Sequence, residues 1–252
     1  MADDLQSCPD ARRMGRALLG ALAAAVIAMP AAAQVSRGDC GGLANGSNGP
    51  FDYRSMRRDQ LANVENFHFT PEVEALLRGK SSTQIGADIN YVLLVFPNHP
   101  RALLAMMRLG EKQKTSQPPG AAYPVECYFE RALRFQPEDN VARMAYAMFL
   151  IRSTRAPEAL RELDRVVGKA GDNAFTHFNA GLLYFEMKEY DKALVQAHRA
   201  QALGMPRTDL RDQLKSVGKW AEPVADAAPA ASAPSAASAA MPAAPAASAG
   251  AQ

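Results

Sequence analysis

The residue types that do chemistry are present in this chain but scattered. His68, His99, His177 and His198 are its histidines. None stands in an H-E-x-x-H or other spacing that would turn two rings toward one metal ion. Gly79-Lys80-Ser81 echoes the end of a phosphate-binding loop, where backbone amides cradle phosphate and a lysine neutralises it. The residue five before Gly79 is Glu74, not glycine, and the stretch ahead of it reads as helix where a strand is needed. Ser81-Ser82 has no nucleophile elbow and no recognisable base. Glu158 and Glu162 share a helix face with Arg161 and Arg165, the spacing of ordinary solvated ion pairs. Asp52, Tyr53 and His68 are the only groups an active site near the N-terminus could use. The expectation is therefore no catalytic residue, no metal, no cofactor and no enzyme.

Cysteine chemistry depends on the compartment, and the N-terminus bears on that. The run from Ala17 to Met29 is apolar and uncharged, follows Arg12, Arg13 and Arg16, and leads to Ala31-Ala32-Ala33-Gln34. A basic flank, a short apolar run and an A-x-A site read as a secretory signal peptide over 1–33, cleaved after Ala33. The competing reading, a membrane anchor, fails on length: the run reaches roughly 20 Å across a core about 30 Å thick. Asp3, Asp4 and Asp10 sit in a region that should be positive, so Met14 makes a cleaner start than Met1. Cys8 leaves with the leader, and Cys40 and Cys127 remain. In an oxidising compartment such a pair forms a disulfide, here closing a loop of 87 residues worth about 4 kcal/mol. Two unpaired buried thiols are the alternative. The expected location is periplasmic or secreted, with no transmembrane segment after cleavage.

The elements that would position any site are helical. The chain of 252 residues is 48% hydrophobic but only 7% aromatic, with alanine supplying much of the apolar share, which favours helices over a β-sandwich. A formal net charge of +2, without a basic block among aromatics, gives no electrostatic footprint for nucleic acid. From Ala221 to Gln252 the chain is mostly alanine, serine and proline, without lysine, arginine or aromatics. Such a tail buries too little apolar surface to offset chain entropy and reads as a disordered spacer.

Between the ends the sequence repeats. In Thr176 to Ala200, His177, Ala180, Gly181 and Tyr184 have the spacing W-x2-L-G-x2-Y, and Ala193 follows Tyr184 by nine. Small residues at Gly181 and Ala193 would let two antiparallel helices approach, with Tyr184 and Leu194 filling the space around the crossing. This segment resembles a tetratricopeptide repeat, with His177 in place of the tryptophan and Ala180 in place of the leucine. His177 reads as a packing residue. Stepping back by the 34-residue period of that family puts Ala147 on Gly181, Leu150 on Tyr184 and Ala159 on Ala193, with a turn at Ser153-Thr154-Arg155. Further back, Pro97 stands forty residues before Pro137, so the hairpin begun by Arg101 to Lys112 carries an insertion at Gln113 to Ala122.

The resemblance implies an all-α, TPR-like α-solenoid of about three to four helical hairpins over 83–220. Within it a half hairpin from Thr83 to Val95 precedes three hairpins, and a polar helix from Arg207 to Lys219 closes the stack. Residues 34–82 are expected to form an irregular N-terminal arm, with one short helix at Pro71 to Arg78 opened by Thr70. In such stacks the first helix of each hairpin lines a concave groove. That assigns Met144, Met148, Ile151, Phe178, Asn179, Leu182 and Phe185 to a partner-binding surface, or to core if the neighbouring hairpin or the arm fills it. The lysine-asparagine clamp for a C-terminal carboxylate is absent. The expected function is an exported scaffold or adaptor binding a protein or peptide partner. The alternative is a structural component of an envelope assembly such as a pilus, secretion or cell-wall complex.

Overall fold

The computed structural model describes residues 40–44 and 48–223. The segment 1–33 expected to be a signal peptide, and the tail beyond Pro223, lie outside the described residues. Among those residues every regular element is a helix. They are α1 (Arg58–His68), α2 (Pro71–Glu74), α3 (Ile85–Val95), α4 (Pro100–Gln113), α5 (Val125–Phe135), α6 (Asn140–Arg152), α7 (Ala156–Gly168), α8 (Ala174–Glu186), α9 (Tyr190–Ala202) and α10 (Asp209–Ser216).

The N-terminal region is more ordered than its sequence suggests. α1 has no buried residue and no side-chain cap, so neither an apolar stripe nor a capping residue announces it. The helix at Pro71 is only one turn: Thr70 precedes it without a side-chain cap bond, and Leu76 turns left-handed at φ 58°. Gly79-Lys80-Ser81 does wrap an anion, but an internal one. The backbone N–H groups of Lys80, Ser81 and Ser82 donate to the buried carboxylate of Asp88 on α3 at 2.7, 3.2 and 3.2 Å. His68 Nδ1 lies 3.0 Å from the same carboxylate, so this site is filled by the chain itself.

From α4 onward the backbone repeats at intervals of forty and then thirty-four residues. His99, Asp139 and Asn173 each cap the helix that follows with a side-chain acceptor, from Ala102 N, from Val141 and Ala142 N, and from Thr176 N. Lys114, Thr154 and Lys188 end those helices at φ 52°, 58° and 62°. The next amides, of Thr115, Arg155 and Glu189, reach back to the carbonyls of Gly110, Leu150 and Tyr184 at 3.0, 2.9 and 2.9 Å. This is a Schellman ending with a side chain where glycine is usual. The loops that enter each helix also match: His99, Asp139 and Asn173 donate from the backbone to Phe96, Gln136 and Ala170.

Packing follows chain order. Each helix from α3 to α10 packs on the next, and α4 on α6, α6 on α8 and α8 on α10 form a second row of contacts. The N-terminal ends of α4 and α6 lie together, with Asn98 before α4 donating to Asp139 at the start of α6 at 2.9 Å. The insertion after α4 folds back on α3. Tyr128 Oη donates to Asn90 Oδ1 at 2.6 Å, Ala122 N donates to the same oxygen at 3.2 Å, and a Cβ on Gly86 would overlap Pro119 O. Burial lifts the Tyr128 hydroxyl to a pKa of about 12.

Two apolar cores result, one spanning Phe69 to Ala145 and one spanning Ala147 to Leu214, with Met148 packed against both. In the second, Gly181 does more than admit α9. A Cβ there would overlap Leu210 Cδ2 of α10 and lie 3.2 Å from Gln196 Cβ and 3.5 Å from Ala193 O. Tyr184 is buried with its hydroxyl donating to Asp164 of α7 at 2.6 Å. Ala193, Ala147, Leu150 and Ala159 are all buried. Glu162 is not simply solvated: it pairs with Arg143 of α6 as well as with Arg165 at 3.2 Å.

Candidate functional site

The row α4, α6, α8 leaves a cleft of about 200 Å³ along its face. Pro100 and Leu104 come from α4, Val141, Met144, Ala145 and Met148 from α6, and Asn179, Leu182 and Leu183 from α8. Spacings of three and four residues on each helix explain why these side chains share one face. No lining residue is charged, and Asn179 supplies the single polar side chain. Large apolar groups are exposed at the N-terminal ends of α6 and α8: Val141, within the lining, is 49% exposed, and Phe175, one turn before Asn179, is 66% exposed. A groove of this kind can desolvate apolar side chains, while Asn179 offers both a donor and an acceptor to a peptide group. It holds no general acid, base or nucleophile.

Four residues assigned to a groove from sequence lie in this cleft: Met144, Met148, Asn179 and Leu182. Phe178 does not. It is 2% exposed and lies in the second core, with the Arg207 guanidinium 4.7 Å over its ring. On α8 the cleft face runs through Phe175, Asn179 and Leu182, so Phe178 is turned about a hundred degrees from Asn179, toward α10. Phe185 packs edge-on to Tyr190 at 5.4 Å, and Ile151 packs partly buried against the second core. Neither lines the cleft. The contribution of α4, Pro100 and Leu104, was not among the residues assigned from sequence, which came only from the first helices of the last two hairpins.

Of the groups considered for an active site near the N-terminus, Asp52 and Tyr53 are joined in a structural network away from the cleft lining, and His68 is engaged separately by Asp88. Asn98 Nδ2 donates to Asp52 at 2.7 Å as well as to Asp139, and its Oδ1 accepts from Tyr53 N at 3.0 Å. The Arg54 guanidinium, bonded to Asp52 at 2.8 Å and helped by Asn98, lowers the Asp52 carboxyl to a pKa of about 2. His99 is fully buried between Tyr53 and Phe69, with ring centroids at 4.4 and 5.2 Å. Its Nδ1 accepts from Ala102 N, so the neutral ring carries its proton on Nε2, 3.0 Å from Glu65 Oε1. Burial pushes its pKa below the usual histidine value, against the pull of Glu65. His68 stacks on Tyr91 at 4.0 Å.

His177 is buried, its ring nitrogens 2.7 Å from Gln196 Oε1 and 2.9 Å from Gly171 O, and ties α8 to α9 and to the preceding loop. No group of three or more histidine, cysteine or acidic side chains that could hold a metal occurs among the described residues. No helix among them is long and apolar enough to cross a membrane.

Cys40 and Cys127 form a disulfide, with Cα atoms 5.1 Å apart. It ties the start of the arm to α5. The arm then runs against α3 and the loop before α4, with Phe51 N donating to Val95 O at 2.8 Å and its ring 6.4 Å from Phe96. None of these described arm residues enters the cleft lining. No protein-family model matches the chain, and no curated protein matches it at a significant level.

Proposed function

We propose that this chain is an exported interaction scaffold that takes a protein or peptide segment into the cleft between α4, α6 and α8. In this reading α4–α5, α6–α7 and α8–α9 are three hairpins of a TPR-like α-solenoid, α3 is a half hairpin and α10 is the cap. The recurrence of helix caps, left-handed endings and entry loops at the same intervals supports the solenoid. The disulfide supports an oxidising compartment. A binding role fits this cleft better than catalysis because its apolar lining contains no titratable group.

The observation that carries the binding reading is the uncharged cleft with its exposed apolar rim at Val141 and Phe175. Methionines line its floor, and their flexible side chains adapt to an irregular apolar partner. The test places a photoreactive residue at Met148 or Leu182, with Val195, exposed on α9 outside the cleft, as control. The expected result is one set of polypeptides captured at both cleft positions, absent at Val195 and lost when Met144→Asp is added. Equal capture at all three positions would overturn the assignment. Capture of a single large assembly in fixed stoichiometry would favour a structural envelope component over an adaptor.

A further inference from the structure

The described chain begins with a contact more elaborate than a disulfide needs. The Arg131 guanidinium, on α5 and 1% exposed, donates to Cys40 O at 3.0 Å and Gly42 O at 2.5 Å. Arg134, one turn further along α5 and exposed at the edge of this contact, donates to Gly41 O at 2.8 Å and Cys40 O at 3.4 Å. Three successive carbonyls thus converge on two cations. Gly41 makes that possible: its φ of 65° turns the chain, and a Cβ there would stand 2.6 Å from Tyr123 Oη. Tyr123 in turn covers Arg131, whose guanidinium carbon lies 4.6 Å from the ring centroid. Both cysteines are fully buried beneath this arrangement.

We infer that Arg131 and Arg134 form a carbonyl socket that holds the arm in place independently of the disulfide, so that Cys40–Cys127 is a shielded lock, reducible and re-formed without the arm leaving. The socket uses charge-assisted bonds to backbone groups, which neither form nor break when the sulfurs change oxidation state. A dithiol reductant must place its thiolate on one protein sulfur, forming a mixed disulfide and releasing the other cysteine as a thiolate. The reagent's second thiol then displaces the first cysteine, leaving a cyclic disulfide on the reagent and two thiols on the protein. Buried sulfurs admit that attack only when the socket opens, so the socket and not the bond governs the rate. After reduction the same bonds keep the two thiols apposed: one protein thiolate attacks oxidised glutathione and releases one glutathione, and the second protein thiol displaces the other glutathione from the mixed disulfide to restore the lock.

The test follows reduction of the full chain by dithiothreitol, and alkylation of the reduced protein by N-ethylmaleimide, by mass spectrometry with and without urea. In native buffer the reduced thiols should alkylate roughly a hundredfold more slowly than in urea, as local closure requires. Arg131→Met should raise both rates at least tenfold. Because loss of a buried arginine can impair folding, Gly41→Ala and Arg134→Gln probe the socket from its arm and rim, with helix content checked by circular dichroism. A rise in both rates in either folded variant supports the socket. Native thiols that alkylate as fast as in urea, or rates unchanged in both folded variants, would overturn it.

Discussion

Gly181→Ala sets two effects of opposite sign against each other. In the interior of an exposed helix, alanine is favoured over glycine by about 1 kcal/mol. On α8 the new methyl would overlap Leu210 Cδ2 and sit 3.2 Å from Gln196 Cβ. Leu210 is 1% exposed and Gln196 is also buried, so neither can yield into solvent. Overpacking of this kind costs about 1 to 3 kcal/mol, and the net expectation is a loss of about 1 kcal/mol. The sign should reverse once the obstacle is removed. In a Leu210→Ala background, itself destabilised by about 2 to 5 kcal/mol, Gly181→Ala should stabilise by about 1 kcal/mol. The double-mutant cycle then gives a coupling of about 2 kcal/mol between α8 and α10. Urea unfolding followed by circular dichroism measures all four proteins. If Gly181→Ala alone raised stability by the full helix-propensity gain, the close approach of α8 to α10 would be wrong.

Replacing Cys40 and Cys127 together by serine should cost about 4 kcal/mol through the freed 87-residue loop, with helix content kept, as urea midpoints and circular dichroism would record. Thr154→Gly should stabilise by about 1 kcal/mol, because a β-branched residue is held at φ 58° where glycine carries no Cβ penalty; an unfolding midpoint at or below that of the parent would contradict it. Asp52, with its carboxyl lowered in the folded state, contributes stability that is complete above the ordinary 3.8 and lost as pH falls toward about 2. Asp52→Asn should therefore flatten the acid limb of a pH–stability profile while leaving the network with Asn98 partly in place.

Much of the helical order was legible because it depends on local sequence. Helical spacing marks α3, α4 and α6 to α9. The proline-bearing exits before His99 and Asp139, and the glycine at 181 opposite Ala193, recur at intervals that chain statistics can register. α1 was not legible: its residues are polar or only partly buried, and it is held by His99 and Asp88 from elements that follow it. The wall of the cleft from α4 was not legible, because helical spacing alone does not say which apolar residues of that helix face the cleft and which face the core.

The sequence by itself pointed to the helical class, through its alanine-rich composition and helical spacing, and to Cys40 and Cys127 as the pair left once Cys8 is set aside with the leader. Which way Phe178 turned was another matter. One helical step decides between cleft and core, and only the arrival of α10, with Leu210 against Gly181 and Arg207 over the Phe178 ring, put that side chain inside. The cleft itself is likewise tertiary. Its lining comes from helices forty and thirty-four residues apart, and its shape depends on how closely alanines let them pack.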